Sequence, residues 1–112
     1  MAALFVPDRG DLVWIDFNPQ AGHEQAGRRP ALVLSPKSYN TKTNLAVICP
    51  ITSQIKGYPF EVLVQEGKVV GAVLSDQVSS LDWKIRRADK IAPVSDAVLA
   101  EVLAKIAALI QI

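Results

Sequence analysis

The chain alternates between short apolar runs and polar stretches that contain glycine or proline, a pattern typical of short strands joined by turns. Asp11–Phe17 alternates apolar and polar positions and is rich in Val, Ile, Trp and Phe, which predicts a strand. Pro30–Leu34 is continuously apolar and predicts a strand buried on both faces. The remaining strands are predicted at Leu45–Ile51, Phe60–Val64, Val69–Leu74 and Lys90–Pro93.

The polar stretches between these runs differ in length. Asn18–Arg28 has Gly, Pro and polar residues with little periodicity, and loops of about a dozen residues in a small domain are usually functional. Ser35–Asn44 is expected to hold a helical turn, and Ser53–Pro59 to form a second loop. A hairpin is expected around Glu66-Gly67, whereas Asp76–Arg87 is mixed and predicts no single element.

The last segment, Ser95–Ile112, has a different period. Apolar residues recur at helical spacing, Ser95 is suited to cap the helix, and Asp96 complements the helix dipole in the first turn. Glu101 and Lys105 form an i,i+4 pair on the polar side. We expect a mainly β fold, a small partly open barrel capped by this helix. The apolar stripe is expected to pack on the core and comprises Val98, Leu99, Val102, Leu103, Ile106, Leu109 and Ile110.

Composition limits the alternatives. With 112 residues, of which 50% are hydrophobic and 21% charged, the chain predicts one globular domain spanning residues 1–112. A net charge of +1 gives no strong overall field, so any binding of nucleic acid must use a local basic patch. A single cysteine, Cys49, lies in an apolar run and is expected to be a buried thiol; together with a single histidine it excludes a Cys/His zinc site. No apolar run reaches the roughly 18–20 residues that span a bilayer, so a cytoplasmic protein without a membrane partner is expected.

Candidate chemistry is concentrated in three segments. Gly22–Pro30 places a histidine, a glutamate and two arginines where a loop enters a strand, and a guanidinium there suits bidentate phosphate binding. Pro50–Gln54 presents hydroxyl groups at a strand end, and Asp76–Arg87 interleaves carboxylate, amide, aromatic and basic groups. Each segment taken alone is equally compatible with solvated loops and ordinary turns. The Walker, HExxH and GxSxG motifs do not occur.

Nearly the whole chain resembles the MazF/PemK family of toxin–antitoxin ribonucleases, and most closely its chromosomal MazF-type members. The stretches that carry the resemblance are Pro7–Pro19, Gly22–Pro36, Pro50–Ser53, Lys56–Val62 and Leu74–Trp83. The C-terminal helix contributes least to it.

The resemblance implies an SH3-like barrel with a C-terminal helix that works as a homodimer. It implies cleavage of single-stranded RNA, chiefly mRNA, at short sequences, without metal or cofactor, to arrest growth by blocking translation. The implied products carry a 2′,3′-cyclic phosphate and a 5′-hydroxyl. A cognate antitoxin of the MazE type is also implied, with a disordered tail that blocks the RNA site.

By resemblance, the catalytic pair of MazF-type members falls on Arg29 and Thr52, and both residues are present. Plasmid-type relatives use a second set that falls on His23, Asp76 and an arginine two residues before that aspartate. Here that last position is Leu74, so the second set is incomplete.

We therefore expect Arg29 to bind the scissile phosphate and Thr52 to donate a hydroxyl to it. The identity of the general base stays open among Glu24, His23 and Asp76. Stacking surfaces and amide or charged edges are needed to bind single-stranded RNA. The expected RNA-binding residues are Phe17, Asn40, Lys56, Gln77, Arg86 and Arg87.

Two non-enzymatic alternatives remain at this stage. A related toxin family with the same barrel poisons DNA gyrase by binding it, and the intact Arg29 and Thr52 pair argues against this alternative. A peptide-binding SH3-like adaptor is the second alternative, and it would neither cleave RNA nor arrest growth.

Overall fold

A computed structural model describes residues 5–17 and 27–111 of the chain. Within these ranges the chain forms seven strands and two helices. The strands are β1 (Asp11–Phe17), β2 (Gly27–Val33), β3 (Leu45–Thr52), β4 (Glu61–Glu66), β5 (Val69–Leu74), β6 (Ser79–Asp82) and β7 (Asp89–Pro93). The helices are α1 (Lys37–Thr43) and α2 (Asp96–Ile110).

All the strand pairs are antiparallel, and the sheet follows the order β4-β5-β3-β2-β1-β7, with β6 paired to β3 off this path. Strand β3 is central because it pairs with three other strands along its length. Its first half pairs with β6, its residues 48–50 pair with β2, and its last two residues pair with β5. The expected mainly β, SH3-like, partly open barrel with a C-terminal helix is confirmed.

Two apolar clusters form the core, one on each side of the curled sheet. The first lies between β1–β5 and α2 and includes Leu12, Leu32, Ile51, Val73 and Val102. The second is built from β1, β2 and β3 with Trp83, whose indole N–H donates to the Asn40 carbonyl at 2.9 Å. Cys49 is fully buried, as predicted, and burial, with a smaller effect of the Asp76 charge, raises the pKa of its thiol to about 12.

Four of the seven residues in the apolar stripe on α2 pack as predicted. Val102 is fully buried, and Val98, Leu99 and Ile106 pack against the first cluster, but Leu103, Leu109 and Ile110 are exposed. The stripe is wider than the surface that the half-barrel offers, so its outer edge stays in solvent. Ser95 caps the helix by accepting from the Val98 N–H at 3.2 Å, and the predicted ion pair between Glu101 and Lys105 forms at 3.8 Å.

The remaining predictions are confirmed in outline. The helical turn expected in Ser35–Asn44 is α1, and the hairpin at Glu66-Gly67 joins β4 to β5. The mixed segment contains one unpredicted strand, β6, which pairs with β3. The bulk of the predicted loop Asn18–Arg28 lies outside the described residues, and its last two residues already belong to β2. No helix among residues 5–17 and 27–111 is long and apolar enough to cross a bilayer.

Candidate active site

A cleft of about 410 Å³ opens where β2 and β3 separate. One set of its lining residues belongs to β1 and the start of β2, and the other to the end of β3 and the β4–β5 hairpin. The lining residues are Trp14, Gly27, Arg28, Arg29, Pro30, Ile51, Ser53, Lys68, Val69 and Val70. This volume is within the range of about 300–1,000 Å³ that is usual for ligand sites.

The separation of the strands follows from the pairing register. The β2–β3 ladder ends at Ala31↔Pro50, and β3 pairs with β5 from Ile51↔Val73 onward. If the first register is continued by two residues, Arg29 faces Thr52 across the gap. The two residues predicted to act together therefore flank the point at which the strands diverge.

Arg29 is half-buried and lines the cleft. It lies two residues after Gly27, which begins β2 with a φ of 81°, in the left-handed region that favours glycine. Arg29 pairs across the sheet with Ile15, a residue of the buried core. A fixed strand therefore carries the guanidinium, and its fork of N–H donors suits a phosphate in the cleft.

Thr52 is largely buried, with 8% of its surface exposed, and does not itself line the cleft, although Ile51 and Ser53 on either side of it do. Its hydroxyl accepts from the Gln54 N–H at 3.1 Å. A hydroxyl that accepts one bond still has its own hydrogen to donate. Sequence and structure therefore agree on a hydroxyl-bearing strand end, but Ser53 is the more accessible of its two hydroxyls.

Gly71 of β5 packs directly against the Thr52 backbone at this strand end. A Cβ atom at position 71 would come within 2.2 Å of the Thr52 carbonyl oxygen, a backbone atom that a side-chain rotation does not move. Strand β5 therefore approaches the Thr52 backbone as closely as it does because residue 71 has no side chain.

A second basic cluster is built around Asp16. Its carboxylate pairs with Arg28 and with Arg87, each at 2.9 Å, and its carbonyl accepts from Arg86 at 3.1 Å. The Arg87 and then the Arg28 hydrogen bonds hold the pKa of Asp16 below its usual range, and Asp16 in turn raises the pKa of Arg87. Arg28 also donates to the Arg87 carbonyl at 2.8 Å.

The cluster changes the interpretation of two predicted RNA contacts. Arg86 and Arg87 are committed to Asp16, and Arg87 adopts a φ of 54°, an uncommon conformation for a residue with a side chain. Through these contacts the two arginines attach the segment after β6 to the end of β1, which explains their positions.

Two other predicted RNA contacts need correction. Asn40 is fully buried: its amide donates to the carbonyls of Pro7 and Ser35 at 2.8 and 3.0 Å, and its oxygen accepts from the Ser35 hydroxyl at 2.6 Å. The prediction that its side chain reads RNA is wrong because every polar atom is used inside the fold. Phe17 lies in the second apolar cluster with 8% of its surface exposed, so it offers little ring surface for stacking.

Other predicted residues are accessible. Lys56, Asp76 and Gln77 are exposed, and none of the three lines the cleft. The loop that carries Lys56 is ordered by Glu61, whose carboxylate accepts from the backbone N–H groups of Lys56, Gly57 and Tyr58 at 2.8–3.3 Å. Lys105 of α2 donates to the Pro59 carbonyl and ties the same loop to the helix.

His23 and Glu24, two of the candidates for the general base, lie outside the described residues. Within residues 5–17 and 27–111, no three His, Cys, Asp or Glu side chains are grouped as a metal site would require.

Sequence reasoning missed two residues of the cleft and gave Ser53 no role of its own. Trp14 is exposed on the outer face of β1, at the register position opposite Pro30. The alternation of β1 already placed Trp14 on the same side as Asp16, which was the available signal. Lys68 had no such signal, because only the folding of the β4–β5 hairpin brings it to the cleft.

The fold and the cleft together define a small SH3-like barrel with a basic cleft where two of its strands diverge. A family model described as PemK-like, MazF-like toxin of type II toxin-antitoxin system matches residues 8–110. The chain belongs to this toxin family.

Individual relatives match along nearly their full length. The chain is 49% identical to the endoribonuclease toxin MazF of Escherichia coli K12, over 98% of this chain and 99% of that protein. It is 30% identical to the E. coli endoribonuclease PemK, over 92% of this chain and 81% of that protein.

Solved structures agree with the fold. The crystal structure of MazF from Deinococcus radiodurans superposes with a TM-score of 0.91 at 55% identity, covering 96% of this chain and 99% of that one. A MazE–MazF complex from the same organism contains a chain that matches with a TM-score of 0.87 at 52% identity, covering 96% and 99%.

Proposed function

We propose that this chain is the endoribonuclease of a toxin–antitoxin pair and that it cleaves single-stranded RNA, chiefly mRNA, at short sequences. The observation that carries the proposal is the basic cleft at the divergence of β2 and β3, which Arg29 lines and beside which Thr52 lies at the register position opposite Arg29 when the ladder is continued. The relatives named endoribonucleases support the activity. Blocking translation by this cleavage is how the toxin arrests growth.

The proposed reaction uses a nucleophile that RNA itself supplies. The 2′-hydroxyl oxygen attacks the adjacent phosphorus and the bond to the 5′-oxygen breaks, which leaves a 2′,3′-cyclic phosphate and a 5′-hydroxyl. One proton leaves the 2′-oxygen for a base, and one proton is delivered to the departing 5′-oxygen. The electron pairs and protons balance without a metal, a cofactor or a covalent enzyme intermediate, so we propose a metal-independent reaction.

Arg29 is proposed to stabilise the negative charge that grows on the non-bridging phosphate oxygens. The planar guanidinium of an arginine binds two phosphate oxygens at once. Because the strand fixes its backbone, little reorganisation is needed at the moment of reaction. Loss of such a preorganised donor typically lowers the rate by about 10²–10³-fold.

The hydroxyl that assists Arg29 is proposed to be that of Thr52. Thr52 is largely buried between Ile51 and Ser53, which both line the cleft, and Ser53 is the neighbouring exposed hydroxyl. Thr52→Val removes the hydroxyl and keeps the shape, whereas Ser53→Ala is the matched control. The larger loss of kcat in Thr52→Val supports this assignment, and a larger loss in Ser53→Ala transfers the role to Ser53.

Proton transfer is proposed to involve Glu24, His23 or Asp76, with a typical contribution of about 10²–10⁴-fold. Asp76 is exposed, at the turn that follows β5. The three variants Glu24→Gln, His23→Asn and Asp76→Asn distinguish the base by which of them removes the acidic limb of the pH–rate profile, where the rate rises as the base loses its proton.

RNA contacts outside the cleft are proposed for Lys56 and Gln77, which are exposed. Arg86 and Arg87 are proposed to support the RNA surface through Asp16, because their guanidinium groups already hold that residue.

The proposed partners are a second copy of this chain and an antitoxin of the MazE type. The Deinococcus MazE–MazF structures support the antitoxin, and the exposed apolar residues Leu103, Leu109 and Ile110 of α2 leave surface for partner chains. We propose that residues 1–112 form one toxin domain and that it acts in the cytoplasm, where mRNA is translated.

The decisive experiment incubates the purified chain with a long RNA in EDTA and maps the ends of the fragments. We expect discrete cuts at a short sequence, with cyclic phosphate and 5′-hydroxyl ends. Arg29→Ala is expected to remove cleavage while the circular dichroism spectrum stays unchanged. Intact RNA together with inhibition of gyrase would instead support the non-catalytic toxin, and full activity of Arg29→Ala would refute the assigned site.

A further inference from the structure

The β4–β5 hairpin brings another cation to the cleft that holds Arg29. Lys68 is the second residue of the two-residue turn between Glu66 and Val69, which are the last paired residues of the two strands. The first turn residue, Gly67, has a φ of 58°, as tight hairpins require. Lys68 is exposed and lines the cleft.

The turn is anchored in the core immediately beside Lys68. Val69 lines the cleft, but only 5% of its surface is exposed, and it belongs to the first apolar cluster. The base of the Lys68 side chain is therefore fixed, while its stem of four methylene groups can follow a ligand.

The cleft beside Lys68 is basic. Its lining contains Arg28, Arg29 and Lys68 and, among the described residues, no carboxylate. Asp16 compensates Arg28, but no described carboxylate lies within 4.0 Å of the Lys68 nitrogen. A cation in this setting is best compensated by an anion that enters the cleft.

We propose that Lys68 binds a backbone phosphate of the RNA next to the scissile one, from the hairpin side of the cleft. This inference rests on the proposed function, because it deepens the account of the same site. An ammonium is a compact point charge without the bidentate fork of arginine, so it suits a contact that carries no sequence information. Such a contact is made equally before and during the reaction, so it lowers KM and leaves kcat unchanged.

The first test measures binding without cleavage. A single-stranded oligonucleotide whose 2′-hydroxyls are methylated is titrated with wild-type chain, Lys68→Gln, Lys68→Arg and the control Lys90→Gln over a series of KCl concentrations. Lys90 is another exposed lysine, on β7, that pairs with Asp11 at 3.8 Å and does not line the cleft. Each phosphate contact on a single strand contributes about −0.7 to the slope of log affinity against log salt.

We expect Lys68→Gln to weaken binding by roughly threefold to tenfold at low salt and to flatten the salt slope by about 0.7. Lys68→Arg retains the charge and is expected to restore most of the affinity. If Lys68→Gln changes affinity and slope no more than Lys90→Gln does, the inference is wrong.

The second test measures cleavage of the corresponding unmodified RNA. Lys68→Gln is expected to raise KM by the factor seen in binding and to keep kcat. A fall in kcat at constant KM would overturn the proposed role as a binding contact. Absence of cleavage by the wild-type chain refutes the proposed nuclease instead, and the binding series still decides whether Lys68 contacts phosphate.

Discussion

Two groups of basic side chains meet at the start of β2, and they differ in the surroundings that the structure gives them. Around Asp16, the guanidinium groups of Arg28, Arg86 and Arg87 are bound by its carboxylate and by backbone carbonyls. Arg29 and Lys68, with Arg28 beside them, line a cleft that has no described carboxylate in its wall. The first group joins β1 to the segment after β6, and the second lines the candidate site.

The difference teaches that neighbouring arginines in a sequence need not share a role. Arg28 pairs across the sheet with Asp16, whereas Arg29 pairs with the buried Ile15. Successive strand residues point to opposite faces, so one residue along the chain separates a structural ion pair from a candidate catalytic group.

The largest expected effect comes from substituting one arginine of each group and comparing the cleavage activity of the two variants. Arg29→Ala is expected to lower kcat by about 10²–10³-fold because it removes the phosphate donor, while the melting temperature stays close to that of the wild type. Arg86→Ala is expected to cost about 1 kcal/mol of folding stability by removing its bond to the Asp16 carbonyl, with kcat per folded molecule maintained. Steady-state cleavage and thermal unfolding are measured for both variants. A loss of kcat in Arg86→Ala, or unchanged kcat in Arg29→Ala, would contradict the separation of the two groups.

A second prediction concerns the strand end that faces Arg29. Gly71→Ala places a methyl group against the Thr52 carbonyl and forces the backbone of β3 or β5 to move. We expect a loss of about 1–3 kcal/mol in the free energy of unfolding and a fall in kcat, because Thr52 moves with its backbone. Denaturant unfolding and cleavage rates measure both. Gly67→Asn is the control, since asparagine tolerates the left-handed turn and nothing lies within 4 Å of that position.

A third prediction concerns Gly27, the first residue of β2, just before Arg28 and Arg29. Gly27 has a φ of 81° and open space around it, so Gly27→Ala meets backbone strain without a steric clash. The expected cost is about 1 kcal/mol, and Gly27→Asn should be milder. Equal unfolding midpoints for Gly27→Ala and the wild type would show that β2 begins in another conformation.

The smallest expected effect is a pH dependence of the Asp16 cluster. The pKa of Asp16 is lowered in the folded state, so its contribution is present above the unfolded pKa of about 3.9 and is lost as pH falls through the folded value. We expect the wild type to be more stable than Asp16→Asn at pH 7, with the difference disappearing below about pH 4 and shrinking at high salt. A stability difference that persists in acid would contradict the ion-pair explanation.

The local patterns in the chain predicted the strands, the hairpin and the capped helix well, because alternation and helical spacing are properties of neighbouring residues. They failed where burial depends on distant surfaces. Asparagine is usually exposed, and Asn40 lies in a polar stretch of the sequence. Its side chain is nevertheless buried and bound to the carbonyls of Pro7 and Ser35. Three residues of the α2 stripe, Leu103, Leu109 and Ile110, are exposed because the barrel does not extend far enough to cover them.

The sequence by itself determined the order of elements, the family and the residue types of the candidate site. It could do so for the site because Arg29 and Thr52 lie at strand ends that local patterns and motifs identify. Tertiary structure alone decided which cations line the cleft. Arg87 reaches Asp16 from 71 residues away in the chain, and Lys68 reaches the cleft only through the folded hairpin. Electrostatic compensation depends on distance in space, and sheet pairing rather than chain proximity sets that distance.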